Sequence, residues 1–109
     1  MGGKCPITGI TISSLLISSH IVPWSDSNDE ERLDVNNGIL LSPIFDALFD
    51  KHLISFDDEG LIMISKSIAP DQRANLGLVE SIKIPVTKDM KGYMKRHREI
   101  FRRAEKNLI

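Results

Sequence analysis

Apolar residues fall along this chain in short clusters rather than in one long stripe. The first is Leu15-Leu16-Ile17, continuing through Ser18-Ser19-His20 to Ile21. Runs of this length read as strands buried in part on both faces, so residues 15–21 are predicted as a strand. Pro23 ends it, because proline has no N–H to offer a ladder. Residues 25–36 are polar and charged and read as a surface loop, of a length that usually carries function or disorder. Gly38-Ile39-Leu40-Leu41 is a second short strand.

Helical spacing begins at Ser42-Pro43, a hydroxyl at the N-cap followed by proline at the first helical position. Ile44, Phe45, Leu48 and Phe49 form the apolar stripe, which leaves Asp46 and Asp50, at i and i+4, together on another face. Leu53-Ile54-Ser55-Phe56 and Leu61-Ile62-Met63-Ile64 flank Asp57-Asp58-Glu59-Gly60, a hairpin signal with glycine in the turn. Residues 69–76 suit a short helix. The longest helix is predicted over about 87–107, with Thr87 as N-cap. Its inward stripe is Met90, Tyr93, Met94, His97, Phe101, Ala104 and Leu108. The expected fold class is α+β: a strand-strand-helix core over about 5–65, a following hairpin and a C-terminal helix, in one domain spanning 1–109.

Composition narrows the class. Charged residues make up 27% and the hydrophobic set 41%, ordinary values for a water-soluble domain. No apolar run approaches the roughly 18 residues of a membrane span, and no signal-peptide hydrophobic region is seen at the start, so the expected compartment is the cytoplasm. Cys5 is the only cysteine, which excludes an internal disulfide and a multi-cysteine zinc site. It is expected to be a buried or half-buried thiol rather than a reactive one.

A formal net charge of −1 hides a division along the chain. Between Trp24 and Gly60 the acids are Asp26, Asp29, Glu30, Glu31, Asp34, Asp46, Asp50, Asp57, Asp58 and Glu59, against Arg32 and Lys51 alone. After Val86 the bases are Lys88, Lys91, Lys95, Arg96, Arg98, Arg102, Arg103 and Lys106, against Asp89, Glu99 and Glu105. An acidic middle with a basic tail fits a metal site beside a grip for a polyanion. It equally fits the solvated face of a terminal helix.

The order of chemistry-bearing residues is more informative. A histidine, His20, closes one strand; an Asn pair, Asn36 and Asn37, opens the next; two carboxylates follow on a helix. In a phosphodiester hydrolase a neutral imidazole can take a proton from water, since its ordinary pKa lies near working pH. A hard divalent cation on oxygen ligands then stabilises charge on the phosphate. His20 fits the base, Asp46 and Asp50 fit Mg2+ or Mn2+, and Asn37 fits a residue fixing the loop that aims His20. Each has a plainer alternative: a core histidine, a solvated helix face, a turn before a strand. Asp46, in the first helical turn, is also favoured there by the macrodipole. His52 suits either a helix C-terminus or an approach to phosphate, His97 a structural role on an apolar face, and Trp24 the packing of its loop onto the core.

Taken together, several segments carry a resemblance. Cys5-Pro6-Ile7-Thr8-Gly9, Ser19-His20-Ile21-Val22-Pro23-Trp24, Glu31-Arg32-Leu33-Asp34, Asn36-Asn37-Gly38-Ile39-Leu40-Leu41 and Leu48-Phe49-Asp50-Lys51-His52 through Asp57 are similar to the HNH endonuclease family. The likeness is closest to a restriction-type branch with Ser-His-Ile and Leu-Phe-Asp signatures. It covers roughly 5–65, and residues 93–99 resemble the tail that follows. The resemblance implies a ββα-metal fold, His20 as general base, Asn37 as the central Asn, and Asp46 and Asp50 in the places of the metal ligands on the helix.

Two departures accompany it. Many relatives have Asp or His directly before the base, where this chain has Ser19, a weaker ligand whose contact with the ion is expected to be slight or through water. The paired cysteines of many relatives are missing, with Ser42 and Phe45 where one pair would stand, so no structural zinc is expected. The expected activity is nicking of double-stranded DNA by a monomer or weak homodimer. Lys91, Lys95, Arg98, Arg102 and Arg103 are the candidate phosphate contacts, and no membrane partner is expected. The alternative is a nucleic-acid-binding module that keeps this fold without cleaving.

Overall fold

A computed structural model describes residues 3–108. Among the described residues, two antiparallel ribbons and four α-helices make up the α+β architecture expected from the sequence. Strand β1 (Ile17–His20) pairs with β2 (Gly38–Leu41), His20 opposite Gly38 and Ser19 opposite Ile39. Between them lies helix α1 (Asp29–Leu33), flanked by single 3-10 turns at Trp24–Asp26 and Val35–Asn37. The expected loop over 25–36 is therefore structured. Helix α1 was hidden from periodicity because it is five residues long and buries none of them. A capping box makes it: the Asn28 side chain accepts from the Glu31 N–H, and the Glu31 carboxylate accepts from the Asn28 N–H.

Helix α2 (Pro43–Asp50) follows β2 directly, with Pro43 in its first turn and Phe45, Leu48 and Phe49 buried. Its C-terminus closes in a double backbone clasp. The His52 N–H donates to Phe49, and the Leu53 N–H donates to Leu48. His52 itself takes the left-handed conformation, φ +56°, where glycine or asparagine is usual. Strands β3 (Ile54–Phe56) and β4 (Ile62–Ile64) form the second ribbon. Gly60 in its turn has φ +87°, and a Cβ there would stand 1.8 Å from the Ile84 carbonyl. Only glycine permits that approach.

Helix α3 (Pro70–Leu76) ends at Gly77, φ +73°. The long helix α4 (Lys91–Lys106) starts one turn later than Thr87. The core joins Cys5, Ile39, Leu41, Phe45, Phe49, Ile54, Phe56, Met90 and Met94. Cys5 is fully buried, as expected. The expected inward stripe of α4 is right for Met90, Met94, His97 and Phe101, but Ala104 and Leu108 are exposed, since the apolar partners end a turn earlier. Among the described residues no helix is long and apolar enough to cross a membrane.

Candidate active site

Strand β1 ends with Ser19 and His20 side by side, and both border one open cleft. Ser19 faces α2 and is 8% exposed, and its hydroxyl donates to the Asp46 carboxylate. His20 faces that cleft, of about 420 Å3 and lined by Ser18, Arg32, Asp34, Val35, Asn37 and Leu40 among others. The histidine and the Ser19–Asp46 corner thus sit one residue apart at the end of one strand.

The ring of His20 is oriented by a backbone group. Its Nε2 lies 3.2 Å from the Arg32 carbonyl oxygen at the end of α1. A carbonyl only accepts, so a neutral ring in this contact carries its proton on Nε2 and leaves the Nδ1 lone pair free. The Trp24 ring meets His20 edge-on at 5.3 Å between centroids, and the Arg32 guanidinium lies 4.6 Å over the same indole. The expectation that Trp24 packs its loop onto the core is corrected: the residue is 56% exposed and forms one wall beside the histidine. Pro23 turns the chain outward there, so the indole meets His20 and Arg32 instead of the interior.

Asn37 is fully buried, and each end of its amide is used. Its Oδ1 accepts from the Val22 N–H at 2.8 Å, while Nδ2 donates to the Glu31 carbonyl at 3.1 Å and to Ser27 Oγ at 3.3 Å. Its own carbonyl accepts from the Ile21 N–H. One side chain therefore ties the segment after His20 to the helix that supplies the orienting carbonyl.

The structure brings Ser19 and Asp46 together and leaves Asp50, one helical turn on, exposed. Among the described residues no three His, Cys, Asp or Glu side chains converge into a complete cage. A partial oxygen corner still fits Mg2+ or Mn2+, which keep several waters and bind through one or two carboxylates and substrate phosphate. The donors are hard oxygens, the wrong set for a thiolate zinc site.

The remaining histidines form a separate stack. His97 lies on Phe49 with ring centroids 3.8 Å apart and on His52 at 4.2 Å. Its Nε2 donates to the Phe49 carbonyl and its Nδ1 accepts from Ser55 Oγ, each at 2.8 Å. Burial, and next the nearby His52, push its pKa down to about 3, so it stays neutral. Burial also lowers that of His52, against the opposing charge of Asp50.

Of the five candidate phosphate contacts, Lys91, Lys95, Arg102 and Arg103 are exposed on α4. At 100° per residue, Lys91, Lys95 and Arg102 fall within one narrow stripe. Arg98 is corrected. It is 6% exposed and turned into the domain, donating to the Phe56 carbonyl at 2.8 Å and to Asp58 at 3.0 Å. Its position on the helix borders the apolar stripe, and the β3–β4 turn supplies acceptors that solvent would otherwise have to match.

A model of the HNH endonuclease family matches residues 5–57. Those residues belong to the HNH endonuclease family. The match spans β1, the Asn37 turn, β2, α2 and β3, and so contains His20, Asn37, Ser19, Asp46 and Asp50. Nuclease activity, a nucleic-acid substrate and use of divalent metal ions go with HNH domains. No curated protein matches the chain. Two features of the site escaped the sequence reading, the Arg32 carbonyl and the ties from α4 described below. A backbone acceptor leaves no trace in residue type. The Asn28-x-x-Glu31 capping box was the available signal for α1.

Proposed function

We propose that this chain is a divalent-cation-dependent endonuclease that hydrolyses DNA phosphodiester bonds, nicking one strand per site, with His20 as general base. The observation that carries the reading is the contact between His20 Nε2 and the Arg32 carbonyl. It holds the imidazole in the tautomer whose Nδ1 can take a proton from an attacking water. Asn37 keeps that carbonyl in register with β1, acting through the backbone and touching no substrate. Asp46 is the principal metal ligand, oriented by the Ser19 hydroxyl, and Asp50 is the second carboxylate on the same helix. A cation held there supplies charge stabilisation on the scissile phosphate and the leaving oxygen. Lys91, Lys95, Arg102 and Arg103 contact phosphates and position the duplex without reading its sequence. One chain holds one such site, which makes single-strand nicking by a monomer the expected reaction.

The test is conversion of supercoiled plasmid to open circles with Mn2+, Mg2+ or EDTA, for the native chain and His20→Ala. Metal-dependent nicking lost in the variant supports the assignment, and nicking that survives it removes His20 from the chemistry. A second reading, a binding module without cleavage, draws on the Ser19 hydroxyl already engaged by Asp46 and the incomplete ligand set. DNA binding with no nicking under any metal would favour it.

A further inference from the structure

Helix α1 carries the carbonyl that orients His20, yet it buries no residue of its own, and Leu33 is 84% exposed. Apolar packing therefore does not hold it. Two side chains of α4, three positions apart and outside the family-matched segment, do. The Tyr93 hydroxyl donates to Asp34 Oδ2 at 2.6 Å, just past the C-terminal end of α1. The Arg96 guanidinium pairs with the Glu31 carboxylate and donates to the Asp26 carbonyl at 2.8 Å. Arg32 lies between the two anchored positions. Titration follows the same contacts. The hydrogen bond from Tyr93 holds Asp34 below the usual carboxylate range, and that bond pushes the Tyr93 phenol up to about 12. The backbone N–H of Asn28 first, and Arg96 second, hold Glu31 low as well.

We propose that Tyr93 and Arg96 are positioning residues for His20: they fix residues 31–34 and so aim the Arg32 carbonyl that sets the imidazole tautomer. The inference rests on the reading of His20 as general base, and it adds a part of the chain that the family match does not include. Arg96 also offsets the charge of Glu31 beside that segment.

The test reads the His20 ring directly. Long-range 15N–1H spectra, with His20→Ala to assign the signals, report which nitrogen carries the proton. The native chain is expected as Nε2–H. In Tyr93→Phe, Arg96→Gln and the double variant the ring is expected to become a mixture with Nδ1–H. Nicking kcat falls by roughly 10- to 100-fold, with KM unchanged. Arg96→Lys, which keeps the charge opposite Glu31, recovers a large part of kcat. An unaltered tautomer together with kcat within about threefold, in variants whose circular dichroism is native, would overturn the proposal. Should the double variant fail to fold, Tyr93→Phe decides, since it removes one oxygen atom. Nicking that survives His20→Ala refutes the base assignment alone, because the tautomer readout still judges the clamp.

Discussion

Asn37→Ala is the most informative single change in this domain. The substitution removes the acceptor of the Val22 N–H and the donor to the Glu31 carbonyl and to Ser27 Oγ, which keeps its own contacts with the Val22 and Pro23 carbonyls. Val22 is 1% exposed, so its orphaned N–H costs about 1–3 kcal/mol. The Glu31 carbonyl is only part-buried and can recover a water, which limits its loss to about 0.5–1.5 kcal/mol. Together the cost is about 1.5–4.5 kcal/mol, against the roughly 5–15 kcal/mol that stabilises a domain of this size. The variant should therefore fold, with a Tm lower by about 10–20 °C. Urea unfolding gives the free energy, and plasmid nicking at a temperature where the variant is fully folded gives kcat. Because Asn37 links the strand bearing His20 to the helix bearing the Arg32 carbonyl, kcat is expected to fall even in fully folded protein. Asn37→Asp sharpens the test. Its second oxygen would face the Glu31 carbonyl, so the acid is favoured protonated in the fold and its pKa is raised. The penalty is then small below the unfolded carboxylate value near 4 and grows as pH rises through the folded value. A loss below about 1 kcal/mol for Asn37→Ala, or a pH-independent Asn37→Asp, would refute the reasoning.

Gly60→Ala should lower stability by about 3 kcal/mol or more, since the added Cβ meets the Ile84 backbone in a left-handed turn; a melting shift of only a few degrees would contradict the close approach. For His97 the sign follows from a folded pKa near 3 against an unfolded value near 6.5. Its neutral form stabilises the fold fully above pH 6.5, and the contribution is lost as pH falls toward 3, about 1–2 kcal/mol of it by pH 5. Urea midpoints at pH 7 and pH 5 should show this loss in the native chain and a smaller one in His97→Gln; equal slopes would refute it. On the DNA-binding reading, Lys91→Gln, Lys95→Gln and Arg102→Gln should each flatten the dependence of log K on log salt by about 0.9, whereas Arg98→Gln should leave it unchanged and lower stability instead.

The readable parts of the chain were those where one residue type has one physical use. Ser42-Pro43 announces a helix start, Gly60 a turn, and Ile39 to Leu41 a strand, and all three stand where expected. His20 and Asn37 were legible as candidates through their order along the chain with the two carboxylates, since either residue alone fits a plainer role. What their side chains bond to was not legible, since the partners are largely backbone groups from residues far along the chain. Arg98 and α1 were misread for a common reason. Periodicity tracks apolar burial, and these elements are held by charge and hydrogen bonding, to which a hydrophobic pattern is blind.

That blindness bears on how the site is supported. The family match ends at residue 57, and the chain has one cysteine, so no disulfide or cysteine cluster braces it. Helix α4 does the bracing here, and largely with polar groups. Tyr93 and Arg96 hold the helix beside His20. His97 holds the end of α2, Arg98 the β3–β4 turn, and Glu105 the Ser65 hydroxyl and Lys66 N–H beyond β4. Apolar contacts from Met90, Met94 and Phe101 fill the space between these ties but do not fix rotation about the helix axis. Directional bonds from one helix to four separate elements do fix it, because sliding or rotating α4 by one residue breaks all of them together. The helix that bears the exposed stripe of Lys91, Lys95 and Arg102 is thus held rigidly against the helix that aims His20. On the proposed function, phosphate grip and general base are parts of one rigid body but on different sides of α4, since at 100° per residue the basic stripe lies at least about 100° around the helix from Tyr93 and Arg96.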